Sequence, residues 1–188
     1  MEKNKKLVHD FWNDASCGEE LFLKGTKLQD YQNHSKIRYE LEGDLIIPFA
    51  EFEKSQGLRV LEIGVGLGAD HQLFAEYKAD LYGIDLTQRS IDHTKRRLKD
   101  LGLKSNVKLG DAENLEFNDN FFDVVYSWGV IHHSPSTINC VNEIFRVLKP
   151  GGSAKIMIYH KRSIIGLMLY FRYAIIGFKP WLTLNDVF

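Results

Sequence analysis

The sequence is poor in cysteine: Cys17 and Cys140 are the only two in 188 residues. Two thiols build no disulfide framework, so a reducing cytoplasm is the expected compartment. Net charge is also scarce, since 24 Lys and Arg face 25 Asp and Glu, for a formal charge of −1. That argues against a basic surface for nucleic acid, and the short basic runs at 3–6 and 95–97 read as solvated faces. No apolar run is long. The longest, residues 164–178, is 15 residues and contains Arg172, too short and too charged for a membrane-spanning helix. The basic N-terminus has no apolar stretch behind it, which excludes a signal peptide. Internal repeats and low-complexity tracts are absent. What is present is 44% hydrophobic residues, enough for one domain with a real core.

The chain is organised around residues 58–70, LRVLEIGVGLGAD. Leu58, Val60, Leu61 and Ile63 form a short apolar run, as in a strand buried on both faces of a parallel sheet. Gly64, Gly66 and Gly68 follow, and a helical pattern starts near Ala69. A strand, a glycine turn and a helix bring bare backbone and unpaired N–H groups close to a ligand. Glu62 falls at the carboxyl end of that strand, where α/β sheets bind ligands.

Four more strands are expected, at 79–86, 107–109, 121–128 and 154–159. The second ends in Asp85, 19 residues after Gly66. An acid there can accept from two ribose hydroxyls, or Thr87 or Asp85 can cap the next helix, 90–101. Gly102 closes that helix. The third strand leads to Asp111, placed to accept from an adenine amino group, with the N–H of Ala112 beside it. The loop after the fourth strand carries His132 and His133. The helix 137–149 should bury Ile138, Val141, Ile144, Phe145 and Leu148, and Pro150, Gly151 and Gly152 should break it. In the helix from Asp70 onward, Leu73, Phe74 and Tyr77 read as core.

About 57 residues precede the first strand. Residues 2–14 read as a helix with Leu7, Val8, Phe11 and Trp12 on one side. Residues 29–52 read as mostly helical, interrupted at Gly43 and Pro48. Either this is a packing extension, or it is a lid offering Phe11, Trp12, Tyr31, Tyr39 and Arg38 to a ligand.

The alternation gives an α/β, doubly wound, mainly parallel sheet of order 3-2-1-4-5. Its glycine loop also satisfies the dinucleotide fingerprint, and Asp85 suits NAD as well as any adenosine. Glu62 as a partner for an ammonium, Asp111 at an adenine, and the lack of room for a second nucleotide-binding half favour a different nucleoside.

The segments VLEIGVGLGAD, GIDLT, GDAENLEF, FFDVVYSWGVIHH and EIFRVLKPGG, in this order, resemble the Rossmann-like S-adenosylmethionine-dependent methyltransferases, specifically the methyltransferase type 11 domain. The resemblance covers about residues 58–159. It implies S-adenosylmethionine as cofactor, with S-adenosylhomocysteine as product. It also implies cofactor contacts from Glu62, from Gly64, Val65, Gly66 and Gly68 of the loop, from Asp85 and Leu86, from Asp111 and Ala112, and from Ser127 and Trp128. In such chemistry the protein aligns a nucleophile with the methyl group, and positioning is worth roughly 7–11 kcal/mol. If the acceptor is protonated, His133, or less readily His132, is the candidate base; capping or a structural hydrogen bond are the other roles open to them. Adjacent histidines with no further ligand set do not suggest a metal.

Three regions follow: a helical lid or extension at 1–56, the binding core at 57–161, and an apolar segment at 162–188. The family's usual sixth and seventh strands have no evident counterpart in the 36 residues after Gly152. The expected function is methyl transfer to a small-molecule acceptor; the alternative is a non-catalytic or incomplete S-adenosylmethionine-binding protein. An apolar C-terminal segment and an exposed fifth strand point to a homodimer, with peripheral membrane contact as the alternative.

Overall fold

Five parallel strands set the frame. In the computed structural model, which describes residues 3–159, they are β1 (Arg59–Ile63), β2 (Asp80–Asp85), β3 (Asn106–Leu109), β4 (Phe122–Trp128) and β5 (Leu148–Met157). The sheet order is β3-β2-β1-β4-β5 and every pairing is parallel, as expected from the sequence. The expected C-terminal segment, its dimer contact and the absent last strands fall on residues outside those described.

The helices are α1 (Lys3–Asp14), α2 (Glu19–Phe22), α3 (Leu28–Ala50), α4 (Ala69–Glu76), α5 (Gln88–Asp100) and α6 (Thr137–Val147), with single 3-10 turns at Phe52–Ser55 and Ile131–His133. No helix among the described residues is long and apolar enough to cross a membrane.

Strand alternation divides the core. Leu61 and Ile63 of β1 join Phe122, Val125, Ile131, Cys140, Ile144 and Val147 on the face covered by α6. Val60 joins Ile46, Phe52, Phe74, Leu81 and Tyr126 on the face covered by α3 and α4. Each fully buried side chain of this kind is worth about 1.5–3 kcal/mol. Glu62 shares the parity of Val60, so it points into the α3–α4 layer, among polar groups described below.

Several expectations are corrected. Helix α3 runs through Gly43 and Pro48 unbroken. Gly43 is buried, with Tyr39 packed within 3.3 Å of where its Cβ would be. Pro48 lies in the last turn, and the chain leaves the helix at Glu51 with φ 53, so the missing N–H takes one bond from the end of the helix without breaking its body. In α6 the buried residues are Cys140, Ile144 and Val147, while Ile138 and Phe145 are 65% and 81% exposed. Tyr77 lies just past α4 and is exposed. The motif around Pro150 does not precede β5 but sits inside it. Phe122 pairs with Leu148 and Val124 with Ser153, so the extra residues bulge out of the ladder, where a proline without an N–H is tolerated.

The two basic runs are also not simply solvated. Lys5 is largely buried and pairs with Asp111 and Glu113. Arg97 is fully buried. Its Nε donates to Gln72 Oε1 at 2.8 Å, Nη1 to the Leu67 carbonyl at 2.7 Å, and Nη2 to the Tyr31 carbonyl at 2.7 Å and to Ser35 Oγ. It therefore ties α3 to the loop that follows β1.

Candidate nucleoside site at the carboxyl edge of the sheet

The strand ends converge. β1 delivers Glu62 and the glycine loop, β2 delivers Asp85 and Leu86, the turn after β3 delivers Asp111 and Ala112, and β4 delivers Ser127, Trp128 and then the two histidines.

The glycine loop is shaped by close approach. Gly64 has φ +83, and a Cβ there would lie 2.3 Å from Val130 Cγ2. Its N–H and that of Val65 donate to the Ile84 carbonyl, which folds the loop back over β2. Gly66, with φ +51, is different: a Cβ there would meet nothing within 4 Å. Open space in front of bare, left-handed backbone is a cradle for a ligand. Gly68 ends the loop as the N-cap of α4. The Val65 side chain turns away and packs with Ile91 and Leu98 of α5.

Asp85 braces this loop. Its Oδ2 accepts from the Gly66 N–H at 3.1 Å, and its Oδ1 accepts from the backbone N–H and hydroxyl of Thr87, both at 2.9 Å. Thr87, not Asp85, caps α5 by accepting from Ser90 N–H. A carboxylate has about four acceptor positions, so Asp85 keeps capacity for a ligand hydroxyl. Burial pushes its pKa up, against the bonds from Thr87 and Gly66.

Asp111 is engaged on one side by Lys5 Nζ at 2.6 Å and on the other by the Glu113 N–H at 2.9 Å. Glu113 also takes Lys5 at 3.0 Å, the Ser136 N–H at 3.0 Å and the Ser134 hydroxyl. Ala112 packs on the core beneath. Helix α1 thus reaches the site through Lys5. It reaches it again through Trp12, whose ring centre is 5.3 Å from that of His133. His132 and His133 lie side by side, ring centres 4.0 Å apart and planes tilted by 40°. Burial lowers the pKa of both, that of His132 to about 4 with help from His133. His133 is therefore a neutral imidazole at neutral pH.

Ser127 is fully buried, and Trp128 meets Phe49 edge-on at 5.4 Å. Among the described residues, Ser127 Oγ and Trp128 Nε1 are buried polar atoms without a hydrogen-bond partner. Such atoms are costly and point to a ligand that would complete them.

Beneath the loop lies an acid whose role sequence reasoning overlooked. Asp70, 4% exposed, accepts from Arg38 Nε and Nη2 at 3.1 and 2.8 Å, from Tyr39 OH at 2.9 Å and from Tyr126 OH at 2.8 Å. Burial alone would raise its pKa; Arg38 and the two phenols hold it below the usual range. Thus Arg38 and Tyr39 of α3 face Asp70, and Tyr31 hydrogen-bonds His93 Nδ1 at 2.9 Å. Of the aromatic residues expected in a lid, Trp12 meets His133, while Phe11 stands 69% exposed.

A parallel sheet in this order, with a glycine loop after β1 and acids at or just past the ends of the next two strands, defines a Rossmann-like fold. The methyltransferase domain family matches residues 61–156, and the chain belongs to that family, the Rossmann-like S-adenosylmethionine-dependent methyltransferases. It is 35% identical over 127 residues to phosphoethanolamine N-methyltransferase 2 of Caenorhabditis elegans, covering 65% of this chain and 28% of that protein. It is 29% identical over 152 residues to a ubiquinone biosynthesis O-methyltransferase of Roseobacter denitrificans, covering 81% of this chain and 59% of that one. The chain therefore spans between 28% and 59% of the length of these relatives. A methyltransferase structure from Aquifex aeolicus shares the fold, with TM-score 0.60 at 21% identity over 74% of this chain and 76% of that one.

Proposed function

We propose that this chain transfers a methyl group from S-adenosylmethionine to a small organic acceptor. The observation that carries the reading is the fit of the carboxyl edge to such a molecule. Gly66 leaves open space before its backbone, Asp85 keeps an acceptor position beyond its three protein bonds, and Ser127 and Trp128 hold polar atoms unpaired among the described residues.

When bound, the cofactor supplies a methyl group already activated on a sulfonium, so little acid or base chemistry is required of the protein. Glu62 would meet the ammonium of the amino-acid end. Asp85, with Leu86 alongside, would take the ribose hydroxyls. Asp111 and the Ala112 N–H would hold the adenine, and Ser127 and Trp128 would border the methionine chain. The contribution of these groups is orientation, worth about 7–11 kcal/mol in favourable cases. His133, neutral and sheltered beneath Trp12, would take a proton from the acceptor if it carries one. Helix α1, clasped by Lys5 and Trp12, would act as a lid that excludes water. The scarcity of cysteine in the sequence supports work in a reducing cytoplasm.

The relatives are named for N- and O-methylation, and a sterol C-methyltransferase of Arabidopsis thaliana is also 32% identical over 120 residues. An acceptor panel must therefore span amines, hydroxyls and activated carbons. Calorimetry with S-adenosylhomocysteine should show saturable binding, and incubation with S-adenosylmethionine plus the panel should release S-adenosylhomocysteine. Failure to bind overturns the reading. Binding without turnover on any acceptor favours the non-catalytic alternative.

A further inference from the structure

Glu62, His71 and Ser105 form a chain of hydrogen bonds beneath the glycine loop. Glu62 Oε2 lies 2.8 Å from His71 Nδ1, His71 Nε2 lies 2.7 Å from Ser105 Oγ, and the Ser105 hydroxyl donates to the Leu81 carbonyl at 2.8 Å. His71 is fully buried. It packs so closely on β2 that a Cβ at position 83 would lie 2.6 Å from its Cε1. Glycine at Gly83 makes room for this ring, and the ring has little room to turn.

Proton counting gives the chain a direction. The Leu81 carbonyl can only accept, so the single hydroxyl proton of Ser105 points at it. The short contact between Ser105 and His71 then needs the proton on Nε2. One proton remains, between Nδ1 and Oε2. In a dry layer, a carboxylic acid donating to a neutral imidazole costs less than an ion pair. Burial acts in that direction on both groups, raising Glu62 and lowering His71 to about 3. Asp70 of α4 and Asp85 of β2 also oppose an anionic Glu62, whereas Arg38 of α3 favours one. The Tyr126 phenol of β4 stays protonated, its pKa raised by burial, by Asp70 and by Glu62. Asp70 favours a charged His71.

We infer that His71 is a positioning residue that takes the Glu62 proton when a cationic group docks against Glu62, so that the carboxylate forms without releasing a proton to solvent. This rests on the proposed reading in which the ammonium of the cofactor meets Glu62. One O–H bond breaks at Oε2, one N–H bond forms at Nδ1, and the pair stays neutral overall. The incoming ammonium then faces an anion, and the new imidazolium is compensated by that same anion and by Asp70.

The test uses the full chain carrying ¹⁵N-labelled histidine, titrated with S-adenosylhomocysteine at about pH 7.5, a unit above the ordinary imidazole pKa. One histidine Nδ1 resonance should move to the imidazolium position on saturation, while calorimetry in two buffers of different ionisation enthalpy shows almost no proton exchange. In His71→Phe the ligand should bind more weakly and release about one proton, because Glu62 must then ionise into solvent. A purely packing role would weaken binding without proton release. If His71→Phe does not fold, the wild-type spectrum decides. Saturable binding with every imidazole unchanged overturns this inference alone. Absence of binding removes the cofactor reading, and this inference with it.

Discussion

The guanidinium of Arg97 donates to the backbone carbonyl of Leu67 at 2.7 Å in the middle of the glycine loop. The same group holds the Tyr31 carbonyl of α3 at 2.7 Å, so one side chain of α5 fixes loop and N-terminal helix together. Burial lowers its pKa to about 10, which still leaves it charged at neutral pH. Every donor that is named above has an acceptor, which is what allows a charge to stay buried.

Arg97→Met should therefore leave the Leu67 carbonyl without this donor, at about 1–3 kcal/mol, while the Tyr31 carbonyl, inside α3, loses only its second partner. A clear fall in melting temperature should accompany a loss of more than tenfold in S-adenosylhomocysteine affinity, because the loop loses its support. Arg97→Lys should recover only part, since one ammonium cannot reproduce a planar fork. A methionine variant with wild-type melting and affinity would refute the clamp.

Much of the frame was legible in the sequence because it depends on local pattern. The apolar run before Gly64 and the acids at 85 and 111 mark strand ends, and the sheet order follows from alternation. The rest depended on partners far along the chain. Arg97 looks like any charge in KRR until Leu67 and Tyr31 supply acceptors. Asp70 looks like a helix N-terminal acid until Arg38, Tyr39 and Tyr126 close on it. In α6 the sets Ile138–Val141–Phe145 and Cys140–Ile144–Val147 both follow helical spacing, so periodicity could not choose the face that packs.

Asp85 does two jobs in this arrangement, and two substitutions separate them. Asp85→Asn keeps one acceptor oxygen for the loop but removes the charge that strengthens a bond to ribose hydroxyls. It should weaken S-adenosylhomocysteine binding by about tenfold and cost less stability than alanine, since its amide nitrogen leaves only one of the Gly66 and Thr87 sides without an acceptor. Asp85→Ala also strips the Gly66 and Thr87 donors of their partner, and should lower stability by about 1–3 kcal/mol besides. Calorimetry and urea unfolding read the two effects. Unchanged affinity in both variants would sink the ribose assignment.

If His133 is the base, His133→Ala should lower turnover far more than cofactor affinity. Because burial lowers its pKa, the acidic limb of the rate profile should fall below the ordinary imidazole value of about 6.5, and it should vanish in the variant. Trp12→Ala should move that limb back upward by opening the ring to water. Equal losses of turnover and affinity in His133→Ala would mark the residue as structural.

Buried imidazoles should also set the acid stability. Burial lowers the pKa of both His34 and His132 to about 4, against about 6.5 unfolded. Between those values the unfolded chain holds protons that the folded chain refuses, so stability falls as pH falls through that window. His71 is also lowered, to about 3, yet it should add almost nothing. Glu62 keeps the proton that His71 refuses, so the pair binds as many protons folded as it does unfolded at about pH 5.5. Unfolding at that pH should therefore take up about one proton at each of His34 and His132, with a further fraction at His93 and His133, whose pKa values burial also lowers, measured as the pH dependence of urea stability. His34→Gln and His132→Gln should each remove about one. A stability that stays flat from about pH 6.5 to 5 would show that these rings titrate as freely in the folded protein as in the unfolded chain.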